Sequence, residues 1–226
     1  MSAYFVTSTG TDIGKTFVTA GLIRHLRAAG EKVDAFKPVV SGFDIATAAL
    51  SDPGVLLGAM DEVVTSQTLA RISPWRFAAP LSPDMAAARE GQSLDFDAIV
   101  SNCKKRIAQS EGTLFIEGVG GVMVPLDDTR TVLDWMAALG LPLIVVAGSY
   151  LGTISHTLTA LDVLARKGLT VKMLVINDSG DGAVPLDETV KAIHRFAPGV
   201  TIGTLPRVKR PTDATDNFAA LWRAMV

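Results

Sequence analysis

Cysteine occurs once, as Cys103. A lone thiol cannot close an internal disulfide, so the fold must stand on packing, and a reducing compartment suits it. Its helical surroundings, with Ile99, Val100 and Ile107, point to a buried inert thiol rather than a nucleophile. Charge is also scarce. Charged residues make up 19% of the chain, with 21 Lys and Arg against 23 Asp and Glu, a formal net charge of -2. That balance, with a pI of about 5.9, excludes the basic footprint of a nucleic-acid binder. The basic runs, Lys104-Lys105-Arg106 and Arg207 to Arg210, are short and read as a solvated helix face and a loop. No apolar run approaches the roughly 20 residues of a membrane span. The longest, Leu141 to Ala147, is strand-sized and contains Pro142. The start, Met1-Ser2-Ala3-Tyr4, lacks the basic segment and apolar stretch of an export signal. A soluble, cytoplasmic protein is expected. Metal-ligand spacing is missing too, since His25, His156 and His194 each fall in a separate helical segment.

What is abundant is apolar side chain, at 48% of 226 residues. With a mean hydropathy of +0.33, much of it must be buried in one sizeable core or a subunit interface. Strand-like runs alternate with helical patterns. Ala3–Thr7 predicts a strand, and Thr16–Ala29 a helix with Val18, Leu22, Ile23 and Leu26 on one side, stopped by Gly30. Val33–Lys37 predicts a second strand. Residues 38–93 carry Pro38, Pro53, Pro74, Pro80 and Pro83, and should form short helices around a binding site. The regular pattern then resumes. Helices are expected at Leu94–Ser110, Val132–Leu139, Thr153–Lys167, Leu186–Phe196 and Asn217–Val226. Strands are expected at Thr113–Glu117, Leu143–Ala147, Val171–Ile176 and Val200–Leu205.

Such alternation implies crossover connections, hence a parallel sheet. Strands rich in Val, Ile and Leu without polar alternation suit a sheet covered by helices on both faces. No repeat or linker divides the chain, so residues 1–226 should form a single α/β domain of the P-loop NTPase type. In such sheets ligands sit beyond the carboxyl ends of the strands, and chemistry is sought there.

The first strand ends in Ser8-Thr9-Gly10-Thr11-Asp12-Ile13-Gly14-Lys15-Thr16. This is a variant phosphate loop, with Thr9 where the strict pattern has its first Gly. Gly10 and Gly14 let backbone N–H groups approach phosphate oxygens, and the helix start turns its positive end toward them. Lys15 is placed for the β- and γ-phosphates and Thr16 for Mg²⁺. The second strand ends at Lys37-Pro38, where a lysine held by proline can project into the site. The third ends at Glu117-Gly118, a position suited to a carboxylate that completes Mg²⁺ coordination.

On these residues the chain resembles the dethiobiotin synthetases, ATP-dependent enzymes of biotin synthesis. The family loop commonly reads Gly-Thr-Asp-Thr-x-Val-Gly-Lys-Thr. Its Lys-Pro-Val-x-Ser-Gly hallmark is matched by Lys37–Gly42, and its Glu-Gly-x-Gly-Gly by Glu117–Gly121. Its Ser-Pro-His stretch resembles Ser82-Pro83-Asp84. The departures are Ser8, Gly10, Ile13 and Asp84. The resemblance implies ATP and Mg²⁺ as cofactors, with 7,8-diaminononanoate and CO₂ as substrates. The nucleotide would lie on Asp12, Ile13, Gly14, Lys15, Thr16 and Phe17, with Asn177-Asp178 and Pro206-Arg207-Val208 on the adenine side. Asp52, before a helix, would join Thr16 and Glu117 at the metal, unless it merely caps that helix. Thr11 and Ser41 would contact the transferring group and the diamine. Free N–H groups at the start of Thr153–Lys167 suit a carboxylate. In the family this start, here Gly152, Thr153, Ile154 and Ser155, reaches the substrate across a homodimer interface.

Two other classes share the fold type. Chromosome-partitioning and division-site ATPases usually carry an early lysine in their loop, and position 10 here is Gly10. A membrane-seeking last helix would need basic residues, and Phe218, Leu221, Trp222 and Met225 are accompanied only by Arg223. Amidotransferase-type ligases on corrinoid acids usually add a glutaminase domain, for which there is no room.

Overall fold

In the computed structural model, residues 2–178, 184–208 and 214–226 are described. They begin with β1 (Ser2–Ser8), α1 (Lys15–Ala28) and β2 (Val33–Phe36). Then come β3 (Val39–Ser41), a 3₁₀ turn (Ile45–Leu50), α2 (Asp52–Ala59), α3 (Ser66–Ile72), β4 (Trp75–Phe77) and α4 (Pro83–Arg89). The regular half follows as α5 (Phe96–Gln109), β5 (Thr113–Glu117), α6 (Val132–Leu139), β6 (Leu143–Gly148) and α7 (Thr153–Arg166). It closes with β7 (Val171–Asn177), α8 (Leu186–Phe196), β8 (Ile202–Leu205) and α9 (Thr215–Met225).

Six strands form one parallel sheet in the order β2-β5-β1-β6-β7-β8. Alternate side chains of each strand feed opposite cores. Phe5, Leu143, Val145 and Ala147 pack with α5, α6 and α7 through Phe96, Trp135 and Leu161. Tyr4, Val6, Ile144 and Val146 pack with α1, α2 and α9 through Leu22, Leu56 and Phe218. Burial of both faces is the reason these strands read as unbroken apolar runs. The α/β architecture with helices on both faces is as the alternation predicts.

Two features depart from expectation. The stretch 38–93 holds short helices, and also a two-stranded parallel sheet, β3 with β4. Three-residue strands carry too few alternations to show a period. In addition, the second strand stops at Phe36, and the Lys37 N–H leaves the sheet to donate to the Ile72 carbonyl.

The last helix spends its apolar face on the core. Phe218, Leu221 and Met225 are buried, and a side chain at Gly21 would meet the Phe218 ring at 2.0 Å. Cys103 is buried, which pushes its thiol up to about 12. Lys104 and Lys105 are exposed, while Arg106 pairs with Asp34 at 2.8 Å. Lys209 and Arg210 lie outside the described residues. Among the described residues no helix is long and apolar enough to cross a membrane.

Candidate active site

Because β2, β5 and β1 are neighbours in the sheet, the segments leaving them converge at one edge. The phosphate loop leaves β1. Asp12 and Gly14 both have positive φ, 57° and 101°. A side chain at Gly14 would sit 2.3 Å from Asn177 Nδ2, which donates to the Ile13 carbonyl at 3.2 Å. Glycine is therefore required there both by its conformation and by close approach. Asn177 itself pins the loop from the end of β7.

Below the loop lies a compact polar cluster. Thr16 Oγ1 is 2.8 Å from Asp52 Oδ1 and 2.7 Å from Glu117 Oε1. Lys37 Nζ is 2.9 Å from Asp52 Oδ2, 2.9 Å from Glu117 Oε1 and 2.9 Å from the Gly118 carbonyl. All three ammonium hydrogens thus have acceptors. Lys37 is 1% exposed and Glu117 0%. Burial alone would push Lys37 down, but the charges of Glu117 and Asp52 outweigh it and hold its pKa above the ordinary lysine range. Burial would likewise raise Asp52, yet the Lys37 charge, with hydrogen bonds from Lys37 and Thr16, keeps it below the usual carboxylate range. For Lys15 burial prevails, with the Lys37 charge adding to it, and the ammonium is pushed down to about 8.

Asp52 does not cap α2. The cap of α2 is Ser51, whose side chain accepts from the Gly54 N–H, and Asp52 is the first helical residue. Its carboxylate is thereby left to face Thr16 and Lys37. The donor set of Thr16, Asp52 and Glu117 fits a hard cation that takes oxygen ligands and keeps several waters. Glu117 Oε2 is buried with no hydrogen-bond partner among the described residues, as an acceptor reserved for a ligand would be. Two carboxylates and a hydroxyl do not make a cage of three or more acidic or His and Cys side chains. None occurs among the described residues.

Three cavities surround the loop, and Thr11 borders all of them. One, of about 300 Å³, holds Asp12, Lys15, Thr16, Lys37, Ser41 and Asp52 in its walls. The second, of about 340 Å³, runs from Ser41 to Pro80–Pro83. The third, of about 480 Å³, is more apolar and lies against Met123, Val124 and α7. A separate pocket of about 160 Å³ is lined by Asn177, Asp178, Pro206, Arg207 and Val208, the residues expected on the adenine side, together with Phe17. Phe17 belongs to both this pocket and the first cavity.

A protein-family model described as an AAA domain matches residues 2–215. The ATP-dependent dethiobiotin synthetase BioD of Acidiphilium cryptum is 50% identical over 86% of this chain and 88% of its own length. That of Phenylobacterium zucineum is 50% identical over 92% and 89%. The chain belongs to the dethiobiotin synthetase family. Its fold also resembles the cell division ATPase MinD of Pyrococcus furiosus, with a TM-score of 0.59 over 99% of this chain and 98% of that one. At 16% identity that likeness speaks for the fold alone.

Against the dethiobiotin synthetase pattern, the departures have definite places. Ser8 Oγ, at 0% exposure, contacts the Gly10 carbonyl, the Gly120 carbonyl and Lys15 Nζ. Ser82 Oγ and Asp84 Oδ1 are buried without hydrogen-bond partners among the described residues, and Ser82 faces the second cavity. One expectation needs correction. Thr153 cannot offer its hydroxyl to a ligand, because Oγ1 is buried and donates to the Gly148 carbonyl at 2.5 Å. The Thr153 N–H likewise donates to Tyr150. Ile154 and Ser155 remain as the first-turn N–H donors of α7. Gly152, Thr153 and Ile154 line a small pocket near α8 that shares no residue with the cavities beside Lys37. Sequence reasoning also missed Ser8, Val119 and Pro80 as site residues. Only Ser8 carried a signal, as a departure from the family loop.

Proposed function

We propose that this chain is an ATP-dependent dethiobiotin synthetase, closing 7,8-diaminononanoate with CO₂ to dethiobiotin and releasing ADP and phosphate. The observation that carries this reading is the convergence of Lys15, Lys37, Thr16 and Asp52 at a cavity that meets two further cavities at Thr11, with the buried Glu117 holding Thr16 and Lys37 from behind. In the reaction one amine captures CO₂ as a carbamate and loses a proton. A carbamate oxygen attacks the γ-phosphorus and ADP leaves. The second amine then attacks the carbamoyl carbon of the resulting anhydride, the C–O bond to phosphate breaks, and inorganic phosphate leaves while the amine gives up a proton to solvent or to that phosphate as the ureido ring closes.

Both reactants are anions, so their meeting requires positive charge between them. Lys15 and Lys37 supply it, in a largely water-excluded place where such charges count most. Thr11 donates its hydroxyl to the transferring group, and Ser41 holds the carbamate or the diamine across the first and second cavities. Phosphoryl transfer asks for positioning rather than covalent help. Asp12 to Thr16 cradle the phosphates. Phe17, Asn177, Asp178 and Pro206 to Val208 hold the adenine. Thr16, Asp52 and Glu117 are the residues that would hold Mg²⁺, which when bound neutralises phosphate charge.

The chain acts as a homodimer in the cytoplasm. Leu151, 85% exposed, and Met123, 55% exposed, present apolar surface beside α7 and the third cavity. Contact with a second copy would cover them. The α7 start binds the diamine's carboxylate tail in the partner's site through the Ile154 and Ser155 N–H groups beside Gly152, and a pocket there that shares no lining residue with the cavity of Lys37 in the same chain supports this. A steady-state assay of ADP release with and without the diamine tests the reading. ADP formation dependent on the diamine and matched by dethiobiotin is expected; ATP turnover indifferent to the diamine would instead favour a switch ATPase.

A further inference from the structure

Ser8 stands where the family loop has glycine, and the ligase reading above gives that exchange a meaning. Its Oγ lies 2.6 Å from the Gly10 carbonyl, 2.9 Å from the Gly120 carbonyl and 3.1 Å from Lys15 Nζ. A hydroxyl has one hydrogen and two lone pairs. It donates to one of the carbonyls and accepts from the ammonium, which can only donate. The Ser8 backbone makes a parallel tie, since its carbonyl accepts from the Val122 N–H at 3.1 Å. A side chain at Gly121 would come within 3.4 Å of both the Gly10 Cα and the Ser8 carbonyl. The phosphate loop and the glycine turn after Glu117 are therefore packed directly together, with the Ser8 hydroxyl between them.

Lys15 has three N–H donors. One reaches Ser8 Oγ, and a second makes a longer contact of 3.5 Å with the Gly10 carbonyl. The third is left for the cavity that Lys15 lines. A lysine side chain has four rotatable bonds and considerable rotamer freedom. A transition-state contact must be fixed before the reaction if it is to lower the barrier. Glycine at position 8 would have no side-chain acceptor to offer, and Gly10 here has none either.

We propose that Ser8 is a positioning residue for Lys15. Its hydroxyl holds the ammonium on the cavity floor with one donor free for the transferring phosphate, and it couples that placement to the turn following Glu117. The effect is on the chemical step rather than on nucleotide capture. Without the hydroxyl, Lys15 is still tethered at the helix start and still charged near the triphosphate, so ground-state binding survives.

The test is Ser8→Ala in the full-length enzyme, alone and combined with Lys15→Ala, with rates followed by incorporation of labelled CO₂. Ser8→Ala should lower kcat about tenfold, about 1.4 kcal/mol of barrier, while the calorimetric Kd for ATP stays within about twofold. In the Lys15→Ala background the same change should have no further effect, because the residue it acts through is gone. An unchanged kcat, a weakened Kd with unchanged kcat, or a full additional loss in the Lys15→Ala background would each overturn the assignment. The wild-type rate reports separately on the ligase reading. Diamine-dependent turnover that ignores Ser8→Ala refutes the positioning role alone.

Discussion

Replacing Lys37 by Gln should separate nucleotide binding from ring closure. The wild-type ammonium sits 2.9 Å from Asp52 Oδ2, Glu117 Oε1 and the Gly118 carbonyl. Glutamine cannot carry the charge, so two carboxylates face each other across Thr16 with only Lys15 left to offset them. Removing one partner from a buried ion pair costs about 3–5 kcal/mol. The Asp52 side chain keeps 42% exposure, so water takes part of the load. The lower figure, about 3 kcal/mol, is therefore appropriate. For a chain of this size each kcal/mol moves Tm by about 2–4 °C, so a fall of about 6–12 °C is expected in thermal scans without divalent cation. Mg²⁺ should recover part of that loss, and raise Tm more in the variant than in the wild type, because a cation on Asp52 and Glu117 replaces the missing charge. Turnover should drop by about 10³ or more, the upper scale for losing one preorganised electrostatic contact. ATP affinity measured by calorimetry should stay within a few-fold. Loss of ATP binding with diamine binding intact would refute the role given to Lys37. An unchanged Tm would refute the charge balance drawn from the geometry.

Lys15→Ala should reduce turnover by about 10²–10³, and Thr16→Val should raise the Mg²⁺ needed for half-maximal rate; a near-wild-type Lys15→Ala enzyme would sink the phosphate-loop assignment. The Lys15 ammonium has a pKa of about 8 in the free enzyme, and an adjoining triphosphate must raise it. Above pH 8 the free form is mostly neutral and the bound form protonated, so ATP binding should take up a proton. Calorimetry in buffers of different ionisation enthalpy reads this directly, and uptake persisting in Lys15→Ala would point to another group. Gly152→Leu, at φ 99°, should raise the diamine KM far more than the ATP KM. Mixed with Lys37→Gln subunits it should regain some activity, since some heterodimers carry one intact composite site. No rescue between subunits shown to exchange, or a fully active monomer by light scattering, would refute the shared site.

Much of this was legible in the chain. Unbroken apolar runs alternating with amphipathic helices imply a parallel sheet, because burial on both faces removes polar alternation. Gly14-Lys15-Thr16 at a strand-to-helix turn implies a phosphate site, because backbone N–H groups and the helix start act locally. Lys37 before Pro38 and Glu117 before Gly118 could be placed at strand ends for the same local reason. The family hallmarks likewise named Asn177, Asp178 and Pro206 to Val208, which meet around one pocket. Residues 38–93 resisted, since strands of three residues and short helices leave no period to read.

What the chain alone could not decide depends on contacts between residues distant in sequence. Strand order put β5 between β2 and β1, and only that brings Lys37 and Glu117 together across 80 positions. Ser51 rather than Asp52 caps α2, which a cap-forming dipeptide cannot reveal from composition. Thr153 reads as a ligand donor until the carbonyl of Gly148 is seen to take its hydroxyl. Ser8 reads as a simple departure until its hydroxyl is found between two loops 112 residues apart, under Lys15. Local geometry is written residue by residue, but charge balance and hydrogen-bond partnership are settled only where separate segments meet in a low-dielectric interior.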